Sequence, residues 1–179
     1  MTRAGVEMPL ILRFAGTFAF LLNCAFSQAF AQDAGCDKFA WSLTHERTLF
    51  AATDKRPLMA GEELAAIPKE AIVLGLKPAG QTTFVLPPER KPKSENWFGG
   101  GLQFPAPEKS GSYQITLSQE AWIDVIQDGR YARSTGSTGR SDCSGLRKSV
   151  RFELNASPFV VQLSGVATEA VVVAISRVN

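Results

Sequence analysis

From Gly111 to the C-terminus the chain is written with a period of two. Tyr113, Ile115 and Leu117 alternate with Ser112, Gln114 and Thr116, and Ala121, Ile123 and Val125 alternate with Trp122, Asp124 and Ile126. Val150, Phe152 and Leu154 alternate with Ser149, Arg151 and Glu153. Phe159, Val161 and Leu163 follow Pro158, and Val171, Val173 and Ile175 form the last such row. Side chains on a strand point to opposite faces in turn, so each segment carries one apolar row that must be covered. Asp128-Gly129 is a two-residue hairpin signal, because both residues accept positive φ. No 10–15-residue helical pattern separates the late segments, which excludes a parallel sheet with crossover helices. The expected fold is mainly β, an antiparallel, jelly-roll-like β-sandwich with one N-terminal α-helix.

Upstream the pattern is mixed. Phe39, Leu43 and Phe50 fall near one helical face, flanked by Trp41 and Leu49, which predicts a helix over 37–52 with Asp37 as its N-cap. Thr53-Asp54-Lys55-Arg56-Pro57 ends it, and 62–66 reads as one further turn before Pro68. Ile72, Leu74 and Leu76 predict a strand, and 83–86 a second short one. Between 87 and 107 five prolines surround Gly99-Gly100-Gly101, which reads as a long connecting loop. Ser134-Thr135-Gly136-Ser137-Thr138-Gly139 is a local low-complexity duplication.

The first 31 residues read as a cleaved export signal. Arg3 and Arg13 precede or open an apolar run through Phe20, Leu21 and Leu22. Ala29 and Ala31 then supply the small-x-small pattern that a signal peptidase accepts, and the run is too short for a comfortable membrane span. Met8 is an alternative start. A retained anchor or lipidation at Cys24 are lesser alternatives, the latter opposed by the bulk of Asn23. Cleavage removes Arg3, Arg13 and Glu7, so the formal net charge falls from +2 to +1. It also removes Cys24 and leaves Cys36 and Cys143, an exported pair that predicts one disulfide. The domain plan is thus 1–31 signal, 32–70 a helical segment packed on the sandwich, and 71–179 the sandwich with its loop at 87–107. The expected location is periplasmic or secreted.

The run Gly111-x-Tyr113-x-Ile115-x-Leu117, then Ala121-Trp122-Ile123-Asp124-Val125, Phe159-Val160-Val161-Gln162-Leu163-Ser164-Gly165 and Val171-Val172-Val173-Ala174-Ile175 resembles the bacterial pre-peptidase C-terminal domain family. The resemblance spans residues 108–179 and implies a small β-sandwich. Members of that family are mostly accessory or binding modules appended to secreted enzymes. No enzyme domain is read in this chain, so the fold is carried over and the role is not.

Several chemistries are excluded by composition. His45 is the single histidine, so a two-His-one-carboxylate iron site, as in a non-haem iron dioxygenase, or a His-rich zinc site lacks its ligands. No Gly-x-Ser-x-Gly or Ser-x-x-Lys motif presents a nucleophile. Gly99-Gly100-Gly101 has neither dinucleotide nor P-loop spacing, and no calcium-loop spacing is present. Near-balanced charge argues against nucleic acid. Asp124 with Asp128, and Glu62 with Glu63, are the paired carboxylates. Arg147, Lys148 and Arg151 form a small basic cluster that reads as a solvated strand edge.

No catalytic, cofactor or metal residues are therefore assigned, no cofactor is expected, and no membrane contact is expected after signal cleavage. The expected function is a secreted, non-catalytic envelope protein acting as a binding or accessory module for an envelope protein or a carbohydrate. Trp97, Phe98 and Tyr131 are its candidate contact residues, and Trp122 is read as packed against the helix or the loop. The alternative is an enzyme of unrecognised type using Asp124.

Overall fold

The computed structural model describes residues 34–178 together with Met1, Thr2 and Gly5. Apart from those three positions the proposed signal lies outside the described residues, and no helix among those described is long and apolar enough to cross a membrane.

Two sheets face each other across one apolar core. Their strands are β1 (Arg56–Met59), β2 (Ile72–Gly75), β3 (Lys77–Pro78), β4 (Phe98–Phe104), β5 (Gly111–Leu117) and β6 (Trp122–Gln127), then β7 (Arg130–Tyr131), β8 (Ser134–Gly139), β9 (Lys148–Leu154), β10 (Phe159–Val166) and β11 (Ala170–Arg177). The first sheet runs β1-β2-β11-β5-β9-β8 and the second β3-β4-β10-β6-β7. All pairings are antiparallel except β1 with β2. The expected mainly-β sandwich is the fold observed.

The apolar rows meet as alternation requires. Ile115, Leu117, Val150, Phe152 and Val173 of the first sheet pack against Leu102, Ile123, Val125, Phe159 and Leu163 of the second. Phe104 and Phe159 stack with centroids 5.0 Å apart. Asp128 (φ +53°) and Gly129 (φ +72°) make the expected tight turn between β6 and β7.

Several local expectations are corrected. The helix, α1 (Thr44–Ala51), begins seven residues later than Asp37, and Cys36–Lys38 form only a 3₁₀ turn. Phe39 and Leu43 mimic helical spacing because both are buried with Cys36, Cys143 and Leu146 in a second, smaller cluster. The segment between them is not helical, and Ala40 N–H donates to Thr138 Oγ1 at 3.0 Å.

Residues 62–66 form no helical turn. Gln103 N–H donates to Glu62 O at 3.0 Å, and Leu64 N–H donates to Gln103 O at 2.9 Å, so this stretch lies alongside β4. Arg56 and Pro57, read as helix-terminating, belong to edge strand β1, where a missing N–H is tolerated. The duplication at 134–139 forms edge strand β8.

The largest correction concerns the glycines. β4 contains Gly99-Gly100-Gly101 and pairs with β10 along its length. A Cβ on Gly100 would lie 2.3 Å from Ala60 Cβ, and one on Gly101 would lie 2.9 Å from Val161 O. The triplet is a strand face that other chain segments press against, which rewards the missing side chains. Residues 83–86, expected as a strand, are irregular because their backbone bonds to a side chain rather than to a neighbouring strand.

Candidate functional site

Each sheet is covered on its outer face. Over the first sheet lies α1. Glu46, 1 % exposed, accepts a hydrogen bond from Gln114 Nε2 at 2.7 Å and another from the Ser176 hydroxyl on the same oxygen. Cys36 and Cys143 form the expected disulfide, with Cα atoms 4.7 Å apart and 107 residues of sequence between them. Gly35 approaches so closely that a Cβ there would sit 2.6 Å from Asp142 O. Arg140 holds Asp142 through two hydrogen bonds of 2.8 and 2.7 Å, which lowers the Asp142 pKa.

Over the second sheet lies an irregular strap, residues 82–97. Gln162 on β10, 2 % exposed, points outward from the core because Val161 and Leu163 point inward. Its Oε1 accepts from Val85 N–H at 2.6 Å and Leu86 N–H at 3.4 Å, and its Nε2 donates to Leu86 O at 3.0 Å. One amide thus satisfies three backbone groups that a neighbouring strand would otherwise satisfy. Further along, Asp124 Oδ2 accepts from Glu89 N–H at 3.3 Å and the Tyr131 hydroxyl donates to Pro87 O.

Asp124 does not share a solvated face with Asp128. It is 2 % exposed beneath the strap, whereas Asp128 stands in the exposed β6–β7 turn. Its other oxygen, Oδ1, accepts from Trp122 Nε1 at 2.7 Å. Burial raises the Asp124 pKa, against the lowering effect of those two hydrogen bonds. Glu62 and Glu63 are exposed beside β4, and His45 is exposed on α1.

The predicted contact residues part company. Trp97 is half-buried and stacks on Phe84, with centroids 6.1 Å apart. Phe98 opens β4 and packs against the main core. Tyr131 lines a different cleft, of about 270 Å³, with Glu89, Arg133 and Ser137.

Where the strap meets the β5–β6 turn and the start of β9, a larger cleft of about 450 Å³ opens. Its aromatic walls are Trp97 and Trp122. The strap contributes Arg90, Lys91 and Lys93, and the opposite rim contributes Arg147, Lys148 and Glu120. Arg90 Cζ and Lys148 Nζ stand 5.5 and 5.7 Å from the Trp122 ring centroid. Glu120 pairs with both Arg147 (3.3 Å) and Lys148 (3.2 Å). Ser164 also lines the cleft, and its buried hydroxyl has no hydrogen-bond partner among the described residues.

The basic cluster read as one edge is in fact divided between two faces. Lys148 and Arg151 are three residues apart on β9, so they point to opposite sides. Lys148 turns toward Trp122, while Arg151 lies 4.2 Å from the Trp41 ring centroid under the N-terminal segment. Arg90, Lys91 and Lys93 fall within the stretch read as a long connecting loop, and nothing in their spacing points to Arg147 and Lys148.

No protein-family model matches the chain, and neither a curated protein nor a solved structure matches it.

Proposed function

We propose that this protein is an exported, non-catalytic binding or accessory module of the cell envelope. The observation that carries this reading is the cleft at the base of the strap, where Trp97 and Trp122 are held by a built scaffold. Concave sites with aromatic walls and a few placed polar groups are the ordinary form of ligand sites. The Cys36–Cys143 disulfide supports an oxidising compartment. Asp124 serves as a tie between β6 and the strap, since both its oxygens accept hydrogen bonds from the scaffold. That supports a positioning role for the carboxylate over the enzymatic alternative.

Two measurements test the reading. N-terminal sequencing of the exported protein should begin at or near Gln32, and an intact cytoplasmic N-terminus would overturn the export claim. Immobilised protein should retain a component of fractionated envelope extract that Trp97→Ala loses by about tenfold, the scale of a buried aromatic contact. Equal retention by wild type and variant would overturn the assignment of the cleft.

A further inference from the structure

The cleft has a charge that the rest of the chain does not share. Arg90, Lys91, Lys93, Arg147 and Lys148 face a single carboxylate, Glu120, a local excess of four positive charges in a mature chain whose formal net charge is +1. We propose that this cleft binds an acidic oligosaccharide, one whose sugar rings carry carboxylate, sulfate or phosphate groups. The proposal rests on the binding-module reading above and adds the ligand class.

Three features favour this class. The first is the split of the cations into two walls. Arg147 and Lys148 are drawn together by Glu120 on one side, whereas Arg90, Lys91 and Lys93 on the strap make no ion pair among the described residues. Unpaired cations facing a cleft favour an anionic guest, and guanidinium groups suit carboxylate, sulfate and phosphate geometry.

The second feature is the pair of indoles. Trp97 is braced by Phe84 and Trp122 by its bond to Asp124, so both rings are fixed before any ligand arrives. Fixed aromatic walls bind flat ring faces with little loss of side-chain freedom. The buried Ser164 hydroxyl, which has no partner among the described residues, adds a hydrogen-bonding group at the same place, which suits a guest rich in hydroxyls.

The third feature is where apolar surface is absent. Among the described residues the exposed large hydrophobics are Met1, Met59 and Val85, and none of them lines this cleft. A lipid surface would need apolar side chains at the rim to enter the acyl layer. A nucleic acid would need a basic track extending well beyond one cleft, against the near-neutral charge of the mature chain.

The test uses the exported protein with defined probes, by calorimetry. Hexameric oligogalacturonate should bind, its affinity should fall as salt is raised from 50 to 500 mM, and maltohexaose should not bind. Lys91→Ala combined with Lys93→Ala should weaken the complex about tenfold, as expected for loss of charged hydrogen-bond donors. Lys69→Ala, an exposed lysine outside the cleft, should change nothing. The thermal midpoint of each variant shows that it has folded.

Equal binding of maltohexaose, still lost in Trp97→Ala, would overturn the acidic class and leave the binding cleft standing. Binding of neither sugar, or tighter binding of a single-stranded oligonucleotide or of phosphatidylglycerol vesicles through the same lysines, would overturn the proposal outright.

Discussion

The two outer covers of the sandwich are held by different means. On the first sheet α1 and its leading segment are anchored by a covalent bond across 107 residues, by a small apolar cluster and by the buried Glu46 carboxylate. On the second sheet the strap has no covalent tie. Gln162, Asp124 and Tyr131 hold it through its own backbone. A helix satisfies its backbone internally and needs only one face anchored, whereas an irregular segment must have its backbone groups satisfied from outside. The strap is therefore the cover that can present a shaped, polar cleft, and it does so where it leaves the sheet near Trp122.

The contrast can be broken at its strongest point first. Removing the disulfide by Cys36→Ser with Cys143→Ser should lower stability by about 2–4 kcal/mol. Hydrogen exchange should rise in α1 and leave the strap near its native protection, and equal loosening of both covers would show that they are not independent.

Gln162→Leu should come next, at about 2–3 kcal/mol, because it leaves Val85, Leu86 and the Leu86 carbonyl without partners. Here exchange should rise in residues 82–97 and spare α1. Under native conditions, limited proteolysis should then cut within the strap.

Glu46 sharpens the other side. Glu46→Ala should cost about 1–2 kcal/mol by stranding Gln114 and Ser176, whereas Glu46→Gln should lie near wild type, since both bonds end on a single oxygen that an amide also supplies. Denaturant melts of the two variants check this, and equal losses would show that the charge, not the acceptor, matters.

The smallest effect concerns pH and Asp124. Its pKa is raised by burial above the ordinary value of 3.8, so the folded state prefers the protonated carboxyl. The folded pKa exceeds the unfolded one, so wild type should lose stability relative to Asp124→Asn as pH rises from about 3.8 through the raised value. A stability difference that is flat across that range would show that the hydrogen bonds from Trp122 and Glu89 fully offset the burial.

What could be read in advance follows the same division. The rows at 113–117, 121–126, 150–154, 159–163 and 171–175 are local patterns, and each became a strand with the expected face inward. The turn at Asp128-Gly129 and the Cys36–Cys143 bond were also legible, one from φ preference and one from counting. Phe39 and Leu43 misled because burial beside a disulfide produces the same spacing as a helical stripe. Gly99-Gly100-Gly101 misled because strand propensity measures packed side chains, and these three positions are valued for having none. At the cleft, Trp97 was legible as an aromatic in an irregular loop, but its partner wall was not.

Sequence alone determined the class of fold, since a period of two over five segments leaves no other way to bury their apolar rows. It also pointed to the disulfide, because the expected export signal takes Cys24 and leaves two cysteines with one pairing. Only the tertiary structure decided which polar residues would be buried, and therefore where the strap would lie. Gln162 and Val85 are 77 residues apart, and Arg90, Trp122 and Lys148 come together from three separate segments of the chain. Such pairings depend on the register and stacking of finished sheets, and no local periodicity encodes them.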